Sequence, residues 1–414
     1  MHLVSVLLGL TQTLSCLAND PSITYVVRPG ENLDQISQKH LLPKRSWRDL
    51  AETNQLSTPH ALKVGQRLQI PIAWLAARPA DVKLVRFSGE VHVGAYLTGW
   101  QPAQINAKLQ AGQRIKLGDN SSAVLFFADG SELALQPNSE LEFDTLSVYA
   151  GGYMTDTRVR LQAGRVEVRA NPKGMSNQRL DIFTPSAITA VRGTQFLVEA
   201  QANNTLAQTT EGKVELRNNF GNTTVAAGYG SLVTQGERPS APTLTKPAPQ
   251  LDRPAARFTD FPIQFGAVPQ TEINAWVAQI GFSDQLQMTT LAKQVTSASP
   301  NFELGPLENG SYQLRTWSID EKGMPSKISL HSFEVDIPRQ LQESSVIIQA
   351  SLVAKGFELR LASPPTGRRY LLQLTKDAQG KQNVWYAYNA PNAINLPPQN
   401  EAAKSDYYLW IWVY

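Results

Sequence analysis

The 414-residue chain contains one cysteine, five histidines and no apolar run close to the length that spans a bilayer. A single cysteine excludes a disulfide framework and a CxxC metal site. Because Cys16 lies in the only strongly apolar N-terminal stretch, a cysteine nucleophile in the folded part is excluded as well. The histidines, His2, His40, His60, His92 and His331, show neither HExxH nor HxH spacing, so no element presents the usual paired metal ligands. GxSxG, P-loop and GxGxxG patterns are also missing. Only 18% of residues are charged, the formal net charge is +3 and no basic stripe stands out, which argues against nucleic acid as a partner. No cofactor, metal or catalytic constellation is implied. Paired carboxylates that meet only in three dimensions stay open, as in glycosidases.

What is present begins with an N-terminal leader. Leu3 to Leu10 is apolar but well short of the roughly 20 residues of a transmembrane helix. Polar Thr11 to Thr13 follow, then Cys16-Leu17-Ala18 and Asn19-Asp20-Pro21. Small residues at the third and first positions before the cut predict a secretory signal over residues 1–18, cleaved after Ala18. Its n-region holds only His2, without Lys or Arg. The competing reading is a lipoprotein cut before Cys16, although Thr13 stands where a branched apolar residue is wanted. A buried element of the first domain is the third reading. Export would make the mature chain periplasmic or secreted, with no transmembrane segment.

Prolines divide the remainder. One compact unit spans residues 19–72, and a break follows over Ile72 to Val82. The stretch 238–254 carries Pro239, Pro242, Pro247, Pro249 and Pro254 among Ala, Ser and Thr, the composition of an extended linker. Ile337-Pro338-Arg339 marks a third boundary. The divisions predicted are therefore 19–72, 82–237, the linker 238–254, 255–338 and 339–414.

The first unit alone has helical periodicity. Tyr25-Val26-Val27 reads as a strand ending in the turn Arg28-Pro29-Gly30. Asn32 can cap a helix with apolar Leu33, Ile36 and Leu41. Trp47, Leu50 and Ala51 give a second helix ending near Asn54, and Arg67 to Pro71 a closing strand. From Val82 the period becomes two. Ala123 to Phe127 and Ser131 to Leu135 flank Asp129-Gly130, a hairpin signal. Leu109 to Leu117, Leu161 to Val168 and Thr210 to Leu216 repeat one shape, a glycine turn and then an alternating strand. The region therefore reads as antiparallel and all-β. Residues 255–336 show strands at sandwich-like spacing. Residues 340–414 look like a second, weaker copy whose last segment, Tyr407 to Tyr414, takes the place of Tyr312 to Trp317. No strand follows it, which predicts an incomplete sandwich with an open edge, either completed by a partner strand or reflecting a truncated chain. In that segment Tyr408, Trp410, Trp412 and Tyr414 share one face, and both faces are apolar, so burial on both sides is favoured over a sugar platform.

Three resemblances rest on these residues. Tyr25 to Leu33, Ile36, Trp47, Leu50, Asn54 and Leu62 to Pro71 resemble a LysM module, with Glu31-Asn32 in place of the commoner Asp-Thr. That resemblance implies a βααβ fold binding N-acetylglucosamine-containing glycan, chiefly peptidoglycan in bacteria. By family position Gly30, Glu31, Asn32 and Leu33 would line one side of a shallow groove. Asn54, Gln55, Leu56 and Leu62 would line the other. The alternative is that Leu33 and Leu62 belong to the core and Asn54 only caps a helix.

Thr184 to Glu199 is similar to the signature of the FecR family, supported by Thr210 to Leu216 and Val225 to Gly230, over about residues 118–236. Arg192, Gly193 and Thr194 are its most distinctive residues, and a structural role is favoured over ligand contact because glycine between alternating strands permits a bulge or close backbone approach. The family's namesake is a membrane regulator with a spanning helix, so only its extracytoplasmic β-domain carries over. Asn309 to Gly323 is similar to the late strands of fibronectin type III-like sandwiches, with Tyr312 as the corner tyrosine.

The fold class expected is multi-domain and mainly β: a LysM module, an antiparallel FecR-like domain and two Ig/fibronectin type III-like sandwiches. The function expected is a non-enzymatic, peptidoglycan-binding envelope protein whose β-domains scaffold or contact another envelope protein. A LysM-targeted cell-wall hydrolase and an extracytoplasmic signal sensor are the rivals.

Overall fold

In the LysM-like unit, strand β1 (Ser22–Val26) pairs antiparallel with β2 (Arg67–Pro71), placing Tyr25 opposite Leu68 and Ile23 opposite Ile70. This is a computed structural model, and it describes residues 22–57, 62–149, 154–171, 177–191, 194–282, 291–338, 340–341, 348–353, 356–361, 370–375, 383–388, 393–396 and 408–413. The expected leader, Arg192 and Gly193 lie outside the described residues. The chain is mainly β, and among the described residues two α-helices occur, both in the first unit.

Helix α1 (Leu33–His40) starts where expected. Asn32 Oδ1 accepts from the Gln35 N–H at 2.9 Å, and Gln35 Oε1 accepts from the Asn32 N–H at 3.2 Å. This reciprocal cap satisfies two of the orphan donors of the first turn. Helix α2 (Trp47–Thr53) is begun by Ser46, whose N–H donates to the Asp49 carboxylate at 2.8 Å. Ile23, Tyr25, Leu33, Ile36, Leu50, Leu68 and Ile70 form the core between helices and strands. A unit of this size buries little surface alone and is marginal. Neighbours supply more: Leu75, Tyr149 and Met154 join the same core, and the Ala76 N–H donates to the His40 carbonyl at 2.8 Å. The break predicted over residues 72–82 is thus no free spacer. Ala77–Pro79 adds a strand to Glu140–Tyr149 of the next domain.

His40 faces Tyr25, with ring centroids 5.3 Å apart, and neither imidazole nitrogen has a hydrogen-bond partner. Burial first, then the Lys39 charge, pushes its pKa down to about 4.

The next domain is built from two sheets whose hydrogen-bond ladder closes on itself. The hairpin around Asp129-Gly130 forms as expected, Ser122–Phe126 pairing with Glu132–Leu135. Inward positions, among them Ile115, Leu125, Leu141, Phe143, Val159, Val166 and Val198, are almost wholly buried. Met154–Arg169 is one strand of 16 residues that serves both sheets. Its first part pairs with Glu140–Tyr149, and from Gly164 onward it pairs with Gln195–Ala200.

The three glycines of the internal echo, Gly112, Gly164 and Gly212, all have positive φ, 85°, 89° and 79°. Two of them sit between strands as expected, but Gly164 does not turn the chain. It lies inside the long strand at the crossing between sheets, where a Cβ would collide with Ser139. The region is also not purely antiparallel, because Asn177–Phe183 runs parallel to Met154–Arg160. The long strand ends in the other sheet, so the chain must travel back before it can rejoin its first half, and a return of that kind is parallel.

The stretch expected to be an extended linker is docked. Thr243–Leu244 pairs with Tyr229–Gly230, and Leu251–Asp252 pairs with Gly266–Ala267 of the following sandwich. That sandwich has a five-stranded sheet, in the order Arg257–Phe258, Ser329–Val335, Gly310–Asp320, Ile273–Phe282 and Leu291–Ser297, facing a three-stranded one. Phe265, Phe302, Trp276, Leu314 and Phe333 fill the space between them. Tyr312 is the corner tyrosine: its hydroxyl donates to the Glu308 carbonyl at 2.9 Å.

In the last unit, expected to be an incomplete sandwich, the described residues form seven strands, in sheets of four and three. Tyr408–Val413 is internal, flanked by Tyr370–Thr375 and by the two-residue strand Gln340–Leu341. This short strand enters from the domain boundary and pairs with Trp412 and Val413 alone, so it covers one end of the edge predicted to be open. The side chains of Tyr408 to Val413, and Tyr407 and Tyr414 altogether, lie outside what is described.

The FecR-like domain and the first sandwich meet through polar groups. Arg315 Nη2 donates to both Glu167 carboxylate oxygens at 2.9 and 2.7 Å. Gln279 Nε2 donates to Gln136 Oε1 at 2.6 Å, and Gln136 Nε2 reaches Glu167 Oε1 at 3.3 Å. The Arg165 guanidinium lies over the Trp317 ring, 4.7 Å from its centroid. Burial works against the Glu167 carboxylate, but Arg315 and Arg165 hold its pKa below the usual range. Beside this network Met324 packs on Leu197 and Leu206, and Gly230 leaves it room, since a Cβ there would meet the Met324 thioether.

Two expected outcomes follow from these contacts. Replacing Arg315 by Met leaves buried Glu167 without its hydrogen-bonded cation, a loss of about 3 kcal/mol. Calorimetry should then resolve separate transitions for the two domains, with recovery when Glu167→Gln is added. His40 stays neutral in the fold to about pH 4 but takes a proton near pH 6.5 when unfolded. The unfolded state binds more protons in that window, so stability present above pH 6.5 is lost as pH falls toward 4, by roughly 3 kcal/mol. Denaturant titrations of wild type and His40→Leu at pH 7 and 4 check this, the variant losing less.

A candidate glycan-binding groove

The register of the two-stranded sheet decides which loops can cooperate. Val26, the last residue of β1, lies opposite Arg67, the first of β2. The loop leaving β1 and the segment entering β2 therefore meet at one end of the module. The Gly65 N–H donates to the Val27 carbonyl and the Val27 N–H to the Gln66 carbonyl, both at 2.9 Å. Gly30, Glu31 and Asn32 leave β1 at this end, whereas Asn54 is tied to Gln69, two residues further along β2.

Gly30 is exposed, has φ +80°, and nothing lies within 4 Å of where a Cβ would stand. Glu31 is half-buried and turned inward. Its carboxylate accepts from the Tyr25 hydroxyl at 2.8 Å and from the Arg28 N–H at 2.9 Å. Partial burial opposes its charge, but those two hydrogen bonds and the Arg28 and Lys39 charges hold its pKa below the usual carboxylate range. Glu31 thus braces the loop as an ionised acceptor. Asn32 is exposed and spends its Oδ1 on the helix cap, which leaves the amide nitrogen facing water.

Leu33 departs from the expectation of a groove residue. It is 2% exposed and belongs to the core, because the first position of α1 points onto the sheet. Asn54 is also committed: its Nδ2 donates to the Leu50 and Gln69 carbonyls at 2.8 and 2.9 Å, and its Oδ1 accepts from the Gln69 N–H at 2.6 Å. It pins the end of α2 to β2. Gln55 is exposed and has φ +50°. Its N–H donates to the Glu52 carbonyl, and that of Leu56 to Ala51, both at 3.0 Å. This is the Schellman closure of a helix, normally made by glycine. A side chain held in the left-handed region at a cost of roughly 1–2 kcal/mol is the kind of local strain that gathers at binding sites. Leu56 and Leu62 are half-buried, packing on the core while keeping part of their surface in water.

Sequence reasoning passed over Tyr25 and Gln69, which hold Glu31 and Asn54 in place. The signal for Tyr25 was available: a tyrosine at an inward strand position needs a partner for its hydroxyl. Of the second motif only Thr194 is described. It is 2% exposed, its carbonyl accepts from the Ala170 N–H at 2.9 Å, and its hydroxyl is buried without a partner, an arrangement that suits structure rather than ligand contact. Among the described residues no group of three or more His, Cys, Asp and Glu is placed to hold a metal, and no helix is long and apolar enough to cross a membrane.

No curated protein matches the chain. Similar solved structures include a protein assigned as an anti-sigma factor from Parabacteroides distasonis ATCC 8503, at 14% identity and TM-score 0.26, covering 30% of this chain and 56% of that one. The chain thus spans little more than half of that protein's length. The chicken CNTN1 FN1-FN3 domains are similar at 9% identity and TM-score 0.18, covering 52% of this chain and 91% of that one. Family models match in two places, the LysM domain over residues 25–71 and FecR protein over residues 113–215. Both are non-catalytic binding or signalling domains typical of extracytoplasmic proteins, LysM implying glycan binding and FecR a signalling-related role. The chain is therefore a modular β-protein in which a LysM domain precedes a FecR domain.

Proposed function

We propose that this is a non-enzymatic envelope protein that binds peptidoglycan through its LysM domain, while the FecR domain and the sandwiches hold a surface toward another envelope protein. The observation that carries the reading is the open polar groups on the two loops that flank the sheet. Gly30 and the Asn32 amide stand open on one loop, and Gln55 is held in a left-handed conformation beside half-buried Leu56 and Leu62 on the other. Exposed backbone and amide groups suit N-acetyl groups, and the leucines suit the apolar face of a sugar. Export would follow from the leader, with cleavage after Ala18 and residence in the periplasm. The FecR match favours a second reading, relay of a signal through that domain, and co-purification with an inner-membrane protein would support it.

The expected outcome is that the full chain pellets with purified sacculi and releases no soluble fragments. Asn32→Ser with Gln55→Gly keeps both helix caps, since serine caps well and glycine accepts positive φ. This double variant should lose roughly tenfold in sacculus affinity while its melting temperature holds or rises. Undiminished pelleting would place the groove elsewhere, and fragment release abolished by one carboxylate substitution would make the protein a hydrolase.

A further inference from the structure

We propose that the outer face of the first FecR sheet is a second glycan-binding surface, a row of rings and paired charges that takes an extended sugar chain. The row follows from register. Gly94 lies between Trp100 and Arg114 on the neighbouring strands, Arg114 lies opposite Glu142, Glu142 opposite Arg160, and Arg160 opposite Phe183. These residues alternate with buried Ile115, Leu141, Val159 and Ile182, so they share the side of the sheet that faces away from the core. Six strands at about 4.8 Å spacing make the row roughly 24 Å long, enough for several sugar rings.

Its side chains are held. Gly94 is buried under the turn of its hairpin, where a Cβ would collide with the Gly99 carbonyl, and the Arg114 guanidinium lies over two rings, 4.4 Å from the Tyr96 centroid and 4.3 Å from Trp100. The Tyr96 hydroxyl donates to Glu142 at 2.9 Å, and Arg160 donates to Asp144 at 2.8 Å. Tyr96 is nevertheless 65% exposed, a large ring kept in water at a hairpin tip.

The occupant follows from this chemistry. Cations and carboxylates alternate along the row, so it offers no net field to a nucleic acid or to a strongly charged protein, and its apolar surface is too interrupted for a protein hot spot. Fixed planar donors and acceptors next to the exposed Tyr96 ring and the half-buried Trp100 and Phe183 rings match a polymer with hydroxyl edges and apolar faces. The glycan is the ligand already proposed for LysM, on whose reading the choice of polymer rests. The domains are physically linked, since Ala77–Pro79 joins this same sheet directly after the LysM module. Two weak sites on one docked unit would gain by effective concentration.

The test uses the full chain with two probes, peptide-free peptidoglycan glycan strands and the short oligomer N-acetylchitotetraose, followed by tryptophan fluorescence and calorimetric titration. Trp100→Ala should weaken long-strand binding about tenfold and leave the tetramer unchanged, whereas Asn32→Ser with Gln55→Gly should weaken both. Trp100→Phe should keep affinity but lose the fluorescence change, and Tyr96→Ala, at an exposed tip, serves as the variant that does not threaten folding. Unchanged long-strand affinity in both Trp100→Ala and Tyr96→Ala overturns the second surface while leaving the LysM reading intact. Loss in those variants with no effect of the LysM double variant supports the second surface and overturns the LysM groove instead.

Discussion

One strand holds the described architecture together. Met154–Arg169 is hydrogen-bonded in both sheets of the FecR domain; its first residue packs into the LysM core, and Glu167 near its other end receives Arg315 from the sandwich. Sixteen strand residues rise at most about 50 Å, and three domains are referred to this single backbone. The strand can change sheets only because Gly164 has no side chain to strike Ser139. A small LysM module and a polar domain interface, each marginal alone, both gain from that shared reference.

The polar interface illustrates what such a reference requires. Burying Glu167 and Arg315 costs solvation, and ion pairs of this kind often add little net stability. What they add here is orientation, because a two-oxygen contact to one guanidinium, continued through Gln136 and Gln279, tolerates little rotation. Apolar contact alone, as between Met324, Leu197 and Leu206, would permit sliding.

Much of this was legible in sequence where the determinant is local. The Asn32 cap, the hairpin at Asp129-Gly130 and the corner tyrosine Tyr312 each depend on a few neighbouring residues, and each stands where the pattern predicts. Gly164 was misjudged because its local pattern matches Gly112 and Gly212, and only the position of Ser139, far away in sequence, distinguishes it. Gln340–Leu341 pairs with Trp412 and Val413 of the last sandwich but is too short to show a period. Leu33 was placed in the groove by analogy, yet helix geometry turns it inward. Arg165 and Glu167 alternate with buried Val166 and Val168, so they point away from that core, but nothing local says that a second domain covers them.

The long strand also has a mechanical consequence. Pulling on the LysM module and on the sandwich would load Met154–Arg169 along its own axis. Its hydrogen bonds to neighbours in both sheets lie across that axis, so rupture would require many of them to fail together rather than one after another. A protein anchored on a cell wall at one end and engaged at the other would therefore resist as a stiff tie under tension, and its first give would come at the docked, proline-rich stretch around Thr243–Leu244, whose ladder to Tyr229–Gly230 is two residues long.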